Sequence, residues 1–328
     1  MDEPAPHKTR CCGGVVYDGG VPVGGVTRIF PDLTDDLLLN LFHKGAQSQW
    51  TSRDLDWQTR MRLSDRQRLA LARLLTPVYF GEQTAMAGAS AILPSVMAAG
   101  ETTAQLYLAS FIMDEARHFE TLTRLYQVLG HEPLSVREMP ELLRYYHRLR
   151  QGDRVDWVWG ILISDVIGRH VYRRLGPARL EPDPLVGGLS TRILRDESRH
   201  IAFAEHYLAR NLPSMDSARR RALINMRDDL LEMLASMTER VRADAAAFDV
   251  EIEDFLDAIH ADLEAVVRRI GLNGRDGSGP LSSGRRPSTA DVPRARAAET
   301  PVGDTDNFAT RCFGCLLSLT CTPRLATT

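Results

Sequence analysis

The pattern of apolar and polar positions is helical over most of the chain. From residue 31 to about 272, apolar residues return every three or four positions, no alternating strand pattern appears, and Gly/Pro clusters are sparse. A short amphipathic helix is predicted over 32–44. A long one starts at Ser64-Asp65, which reads as an N-cap, and runs to about Ala99, with a break or kink at Pro77 and Pro94. Further helices are predicted over 102–130, 140–149, 155–175 (stopped by Gly176-Pro177), 189–211, 214–246 and 252–270. Outside these limits the period is lost. Residues 1–28 read as an irregular arm, and 273–328, rich in Gly, Ser, Pro, Arg and Thr, as a disordered tail. The expected organisation is one all-α domain over 29–272 with two extensions.

Composition narrows the function classes. The chain has 328 residues, 44% hydrophobic and 25% charged, with a net charge of -3, so neither nucleic acid nor an acidic membrane is an expected partner. No apolar run reaches the roughly 20 residues of a membrane span. Cys11, Cys12, Cys312, Cys315 and Cys321 lie only near the two ends, which argues against a disulfide framework and fits a reducing cytoplasm. Cys312-x-x-Cys315 has no second pair or nearby His to make a zinc site.

The chemistry lies in a repeat. Asp114-Glu115-Ala116-Arg117-His118 and Asp196-Glu197-Ser198-Arg199-His200 share the pattern Asp-Glu-x-Arg-His. Glu and His three residues apart lie on one helix face and can bind one metal ion together. The 17 Glu and 9 His of the chain would give roughly half a Glu-x-x-His match by chance, so one match would mean little and two extended ones mean much more. A four-helix di-metal site needs one carboxylate from each of two further helices. Glu82 stands alone in a stretch uncharged from Leu74 to Gly100, and Asp165 stands alone in an apolar run from Trp157 to Gly168. Burying either is costly unless it is paired or metal-bound. Glu82 precedes Glu115 by 33 residues and Asp165 precedes Glu197 by 32, as two similar antiparallel helix pairs require. Four carboxylates and two imidazoles suit iron or manganese better than zinc. Each residue alone also has a plainer reading, such as an ion-paired helix face or a packed core His. Small residues near the expected ligands (Ala85, Ala87, Gly88, Ala89, Ser90, Ala91, Gly160 and Gly168) would either make room for an organic substrate or let helices pack closely.

On these residues, the chain over roughly 45–210 resembles the ferritin-like superfamily, and within it the ribonucleotide reductase small subunit and its ligand-binding oxidase relatives. The resemblance rests on Gly81-Glu82, the two Asp-Glu-x-x-His segments, and Gln49-Trp50 through Trp57. It implies a ferritin-like four-helix bundle with additional helices. It also implies two metal ions, Fe/Fe or Mn/Fe, with dioxygen as oxidant, a small organic substrate, an external donor such as a ferredoxin or flavoprotein, and a homodimer. A chain of Trp50, Asp196 and His118 would carry electrons, and Asp114 would orient a ligand. The residues also depart from both relatives. Leu122 stands where the radical-forming subunits carry Tyr, and Tyr126 is the nearest tyrosine along that helix. Gly160 and Ala85 stand where the ligand-binding oxidases form a crosslink, and Asp165 stands where Glu is usual. The expected activity is therefore an oxidase or oxygenase. The alternatives are a reductase small subunit without the tyrosyl radical and a non-catalytic metal-binding protein.

Overall fold

The computed structural model describes residues 33–175 and 183–273. The expected arm over 1–28 and all five cysteines lie outside the described residues, as does the expected tail over 273–328 apart from Asn273. Every regular element among the described residues is a helix, and none is long and apolar enough to cross a membrane.

Ten α-helices are described. The first three are α1 (Asp36–Gln47), α2 (Asp65–Leu74) and α3 (Thr76–Ala98). Then come α4 (Thr102–Leu129), α5 (Glu141–Leu149), α6 (Arg154–Leu175) and α7 (Pro184–Asn211). The last three are α8 (Ser217–Arg240), the single turn α9 (Arg242–Ala245) and α10 (Ile252–Ile270). Local chemistry sets their ends. Ser64 and Gln67 form a reciprocal capping box at the start of α2. The side chains of Asp35, Asp183 and Asp216 accept from backbone N–H groups of α1, α7 and α8. Gly130 and Gly271 close α4 and α10 with φ of 70° and 73°, where a Cβ would be strained.

Two boundaries differ from the sequence pattern. The break expected at Pro77 falls at Leu75, because proline is well accommodated in the first turn of a new helix, whereas α3 runs straight through Pro94. Helix α7 begins at Pro184, five residues before the periodic pattern, because Asp183 caps it and Pro184 supplies a preset first turn. The Gly187-Gly188 pair hides that turn from a reading by periodicity.

Helices α3 and α4 form one antiparallel pair, and α6 and α7 a second. Contacts between α4 and α7, and between α3 and α6, join them into a four-helix bundle. Helix α1 lies on α4 and α7, while α5, α8 and α10 cover α6. Two apolar clusters fill the bundle. Tyr107, Phe111, Trp157, Trp159 and Phe203 belong to one, and Trp50, Leu71, Leu122, Tyr126 and Leu189 to the other. Along α4 and α7 the acidic and histidine residues fall between the two clusters, so both helices present their charge to the bundle interior at the same level.

Candidate metal centre

Glu82 on α3, Glu115 and His118 on α4, Asp165 on α6, and Glu197 and His200 on α7 converge inside the bundle. All are buried, with His118 0% and Asp165 6% exposed. Glu82, Glu115, His118 and Glu197 form one group, and Asp165, Glu197 and His200 another. Within each group one ligand atom per residue lies within 4.8 Å of the rest. His118 Nδ1 is 3.3 Å from Glu82, 3.9 Å from Glu115 and 3.7 Å from Glu197. His200 Nδ1 is 3.2 Å from Glu115 and 3.8 Å from Glu197. Glu115 and Glu197 thus face both imidazoles, as bridging carboxylates would.

The rest of each Asp-Glu-x-Arg-His segment forms a crossed support. Asp196 Oδ2 lies 3.2 Å from His118 Nε2, and Asp114 Oδ2 lies 3.3 Å from His200 Nε2. Each motif's aspartate therefore holds the other motif's histidine. A carboxylate accepting from Nε2–H leaves Nδ1 as the lone-pair atom turned toward the glutamates. The two arginines tie the aspartates together. Arg117 donates to Asp114 at 2.5 Å and Asp196 at 2.8 Å, and Arg199 donates to Asp114 at 2.8 Å and pairs with Asp196 at 2.9 Å. Trp50 Nε1 donates to Asp196 Oδ2 at 2.7 Å, so Trp50, Asp196 and His118 form a continuous hydrogen-bonded line.

The electrostatics ask for positive charge. Burial, and then the charge of Glu82, push Glu115 well above the usual carboxylate range. Burial, and then Glu197, do the same to Asp165. His118 is pushed well up although burial opposes it, because the carboxylate of Glu82 faces its ring. Outside this group the balance reverses. Burial raises Asp196 and Asp114, but hydrogen bonds from His118 and His200 respectively, with the nearby positive charges, hold both well below the usual range. Inside the bundle, Asp165 Oδ2, Glu197 Oε2 and His200 Nδ1 have no hydrogen-bond partner among the described residues. Buried, unpartnered oxygen and nitrogen atoms from α6 and α7, facing the carboxylates of α3 and α4, fit metal ions of the iron and manganese class.

A partly open cavity reaches the carboxylates. Glu82, Glu115, Asp165 and Glu197 line it, and the two histidines do not. Apolar side chains of α3, α5, α6, α8 and α10 make its walls, among them Phe80, Ile161, Val171 and Phe255. Arg174 is the one cation among its described lining residues. Its guanidinium lies 5.5 Å from the centre of the Phe255 ring, and it donates to the Asp254 carbonyl at 3.2 Å. The small residues divide by role. Gly81, Ala85 and Gly168 border the cavity, and a Cβ on Gly168 would meet nothing within 4 Å. A Cβ on Gly88 would run into the Trp157 indole, and one on Gly160 into Leu149 and Met226, so those two glycines serve close packing.

Tyr126 stands away from the site and donates to the Ala72 carbonyl at 2.9 Å within the second apolar cluster. The tyrosine that bonds a candidate ligand is Tyr172 of α6, which donates to Glu82 Oε1 at 2.9 Å. It lies seven residues after Asp165, two turns along the same face, and that spacing could have found it.

Residues 53–264 match the model of the p-aminobenzoate N-oxygenase AurF family. No curated protein sequence matches the chain. Among solved structures it is similar to an R2-like ligand-binding oxidase with an aerobically reconstituted Mn/Fe cofactor after a long soak. That match has 17% identity and a TM-score of 0.62, and covers 79% of this chain and 99% of the other. It is also similar to an R2-like ligand-binding oxidase with a reconstituted metal cofactor after photoconversion. There the identity is 18% and the TM-score 0.59, with 71% of this chain and 92% of the other covered. These similarities establish the ferritin-like fold. The family match goes further: the chain belongs to the p-aminobenzoate N-oxygenase AurF family, and is a di-metal oxidoreductase that uses dioxygen.

Proposed function

We propose that Glu82, Glu115, His118, Asp165, Glu197 and His200 hold two metal ions, Fe/Fe or Mn/Fe, and that this chain oxidises the nitrogen of a small arylamine with dioxygen. The observation that carries this reading is the sidedness of the site. Its four carboxylates face an apolar cavity and its two histidines face away, each backed by an aspartate. A substrate in the cavity meets the metals from the carboxylate side. When bound, the metal pair supplies the redox chemistry that lets dioxygen react.

The protein's own residues prepare for that. Asp196 and Asp114 keep each histidine proton on Nε2, and Arg117 and Arg199 balance the charge of the aspartates. Tyr172 occupies one oxygen of Glu82 and leaves the other toward His118. The shorter Asp165 leaves more room at its position than a glutamate would. The apolar walls exclude water from the reacting nitrogen.

The family's name supplies the substrate class, an arylamine that also bears a carboxylate. The cavity suits it, with apolar walls for the ring and Arg174 as the cation for an acid group. A first oxidation consumes one arylamine, one dioxygen, two electrons and two protons, and yields an N-hydroxyarylamine and water. The two electrons call for an external donor such as a ferredoxin or flavoprotein, with Trp50, Asp196 and His118 as the route inward. A homodimer completes the reading on the strength of the resemblance. The test is to incubate the metal-loaded chain with a chemical reductant, dioxygen and p-aminobenzoate, and to follow products by mass spectrometry. N-oxygenated product from the parent and none from Glu197→Ala is expected. Unchanged amine with a fully loaded parent would overturn the assignment.

A further inference from the structure

Two tyrosines meet the cavity, and their hydroxyls are committed differently. Tyr172 gives its proton to Glu82. Tyr145, on α5, lies 3.0 Å from Ser164 Oγ, and Ser164 Oγ lies 3.0 Å from the Gly160 carbonyl. A carbonyl only accepts, so the serine proton goes to Gly160. The Tyr145 proton must then go to the serine oxygen. Burial pushes the Tyr145 phenol up, so the group stays neutral and has one proton only. That proton is spoken for, so the Tyr145 oxygen has only lone pairs left to offer. Tyr145 and Ser164 line the cavity together with Asp165, the residue after Ser164.

Resting on the arylamine reading above, we propose that Tyr145, held by Ser164, is the substrate-positioning acceptor that takes an N–H of the amine and turns its nitrogen toward the metal-binding carboxylates. The relay Tyr145 → Ser164 → Gly160 carbonyl runs in one direction, so the cavity reads a donor and rejects an acceptor. A nitrogen that oxidation has stripped of hydrogen has nothing to offer Tyr145 and places its oxygens against the phenol lone pairs. Ser164 acts through Tyr145 and touches no substrate in this scheme.

The test measures binding by calorimetry to the metal-loaded chain, kept free of reductant so that no turnover occurs. The probes are p-aminobenzoate and p-nitrobenzoate, which share the carboxylate and the ring. The parent is expected to prefer the amine. Tyr145→Phe should weaken the amine about five- to tenfold, as loss of one neutral hydrogen bond does, and leave the nitro probe unchanged or tighter. Ser164→Ala removes the acceptor that holds the tyrosine proton, so Tyr145 becomes free to donate and the preference should shift toward the nitro probe. Metal content should equal that of the parent in both variants. A parent that binds the amine while neither variant changes the amine-to-nitro ratio would overturn the role of Tyr145 alone. A loaded parent that binds neither probe would overturn the arylamine reading, and this assignment with it.

Discussion

The two halves of the bundle are built alike and finished differently. Helices α3 and α4 bring Glu82, Asp114, Glu115 and His118, and helices α6 and α7 bring Asp165, Asp196, Glu197 and His200. Each half buries a lone carboxylate on one helix and an Asp-Glu-x-Arg-His segment on the next, and each aspartate holds the histidine of the other half. The differences lie at the edges. Glu82 is long and its free oxygen is tied by Tyr172, while Asp165 is short and its Oδ2 has no partner among the described residues. Behind the histidines, Asp196 is held by the Trp50 indole at 2.7 Å, while the matching contact to Asp114 is a Gln49 amide at 3.4 Å. Glu82 and His118 of the first half are thus the braced groups of the site, the first through Tyr172 and the second through Asp196 and Trp50. The second half carries the loosely held carboxylate, and its helix α6 forms much of the cavity wall through Ile161, Ser164, Gly168 and Val171. In the proposed function the duplicated frame provides the two metal positions, and the asymmetry opens the Asp165 side to substrate.

Substitutions can break or sharpen that comparison. The largest effect is expected from His118→Ala and His200→Ala. Each removes a proposed nitrogen ligand, and metal analysis should show loss of the pair in both, because Glu115 and Glu197 each face both histidines. Next are Asp196→Asn and Asp114→Asn. Loss of a carboxylate behind a ligating histidine typically costs about 10- to 100-fold in metal affinity. Asp196→Asn should cost more, because it also disturbs the bond from Trp50, and a competition titration with a chelator reads the difference. Asp165→Glu should leave metal content intact and lower turnover about tenfold, a barrier change of about 1.4 kcal/mol, by closing the open side. Equal turnover in that variant would show that the asymmetry does not matter. The smallest effect is expected from Tyr172→Phe. It removes one hydrogen bond to a buried carboxylate, about 1 kcal/mol, or about 2–4 °C in a thermal melt of the metal-free chain.

The sequence pattern already contained the frame. The helical period placed α4, α6 and α10 nearly to the residue, and the six candidate ligands were legible because two Glu-His pairs recur at one spacing and two carboxylates stand isolated in apolar helices. What lay beyond reach depends on how helices rotate against one another. The crossed bonds from Asp114 to His200 and from Asp196 to His118 join α4 to α7, and no spacing within either helix predicts them. Arg117 and Arg199 recur in the two segments, but their burial between the aspartates depends on how α4 and α7 face each other. The cavity escaped for the same reason, since Tyr145, Met237 and Phe255 come from three helices outside the four-helix core. Tyr172 lies two turns after Asp165 on α6, within reach of a helical-wheel argument, and its bond to Glu82 crosses from α6 to α3.

The account turns on two metal ions held by these six residues, so metal stoichiometry tests it most directly. The purified chain, stripped of metal and reconstituted anaerobically with iron or with manganese plus iron, is expected to retain two ions per chain. Glu115→Ala and Glu197→Ala, each lacking a carboxylate that faces both histidines, are expected to retain fewer than one. A parent that retains no metal, or variants that retain as much as the parent, would contradict it.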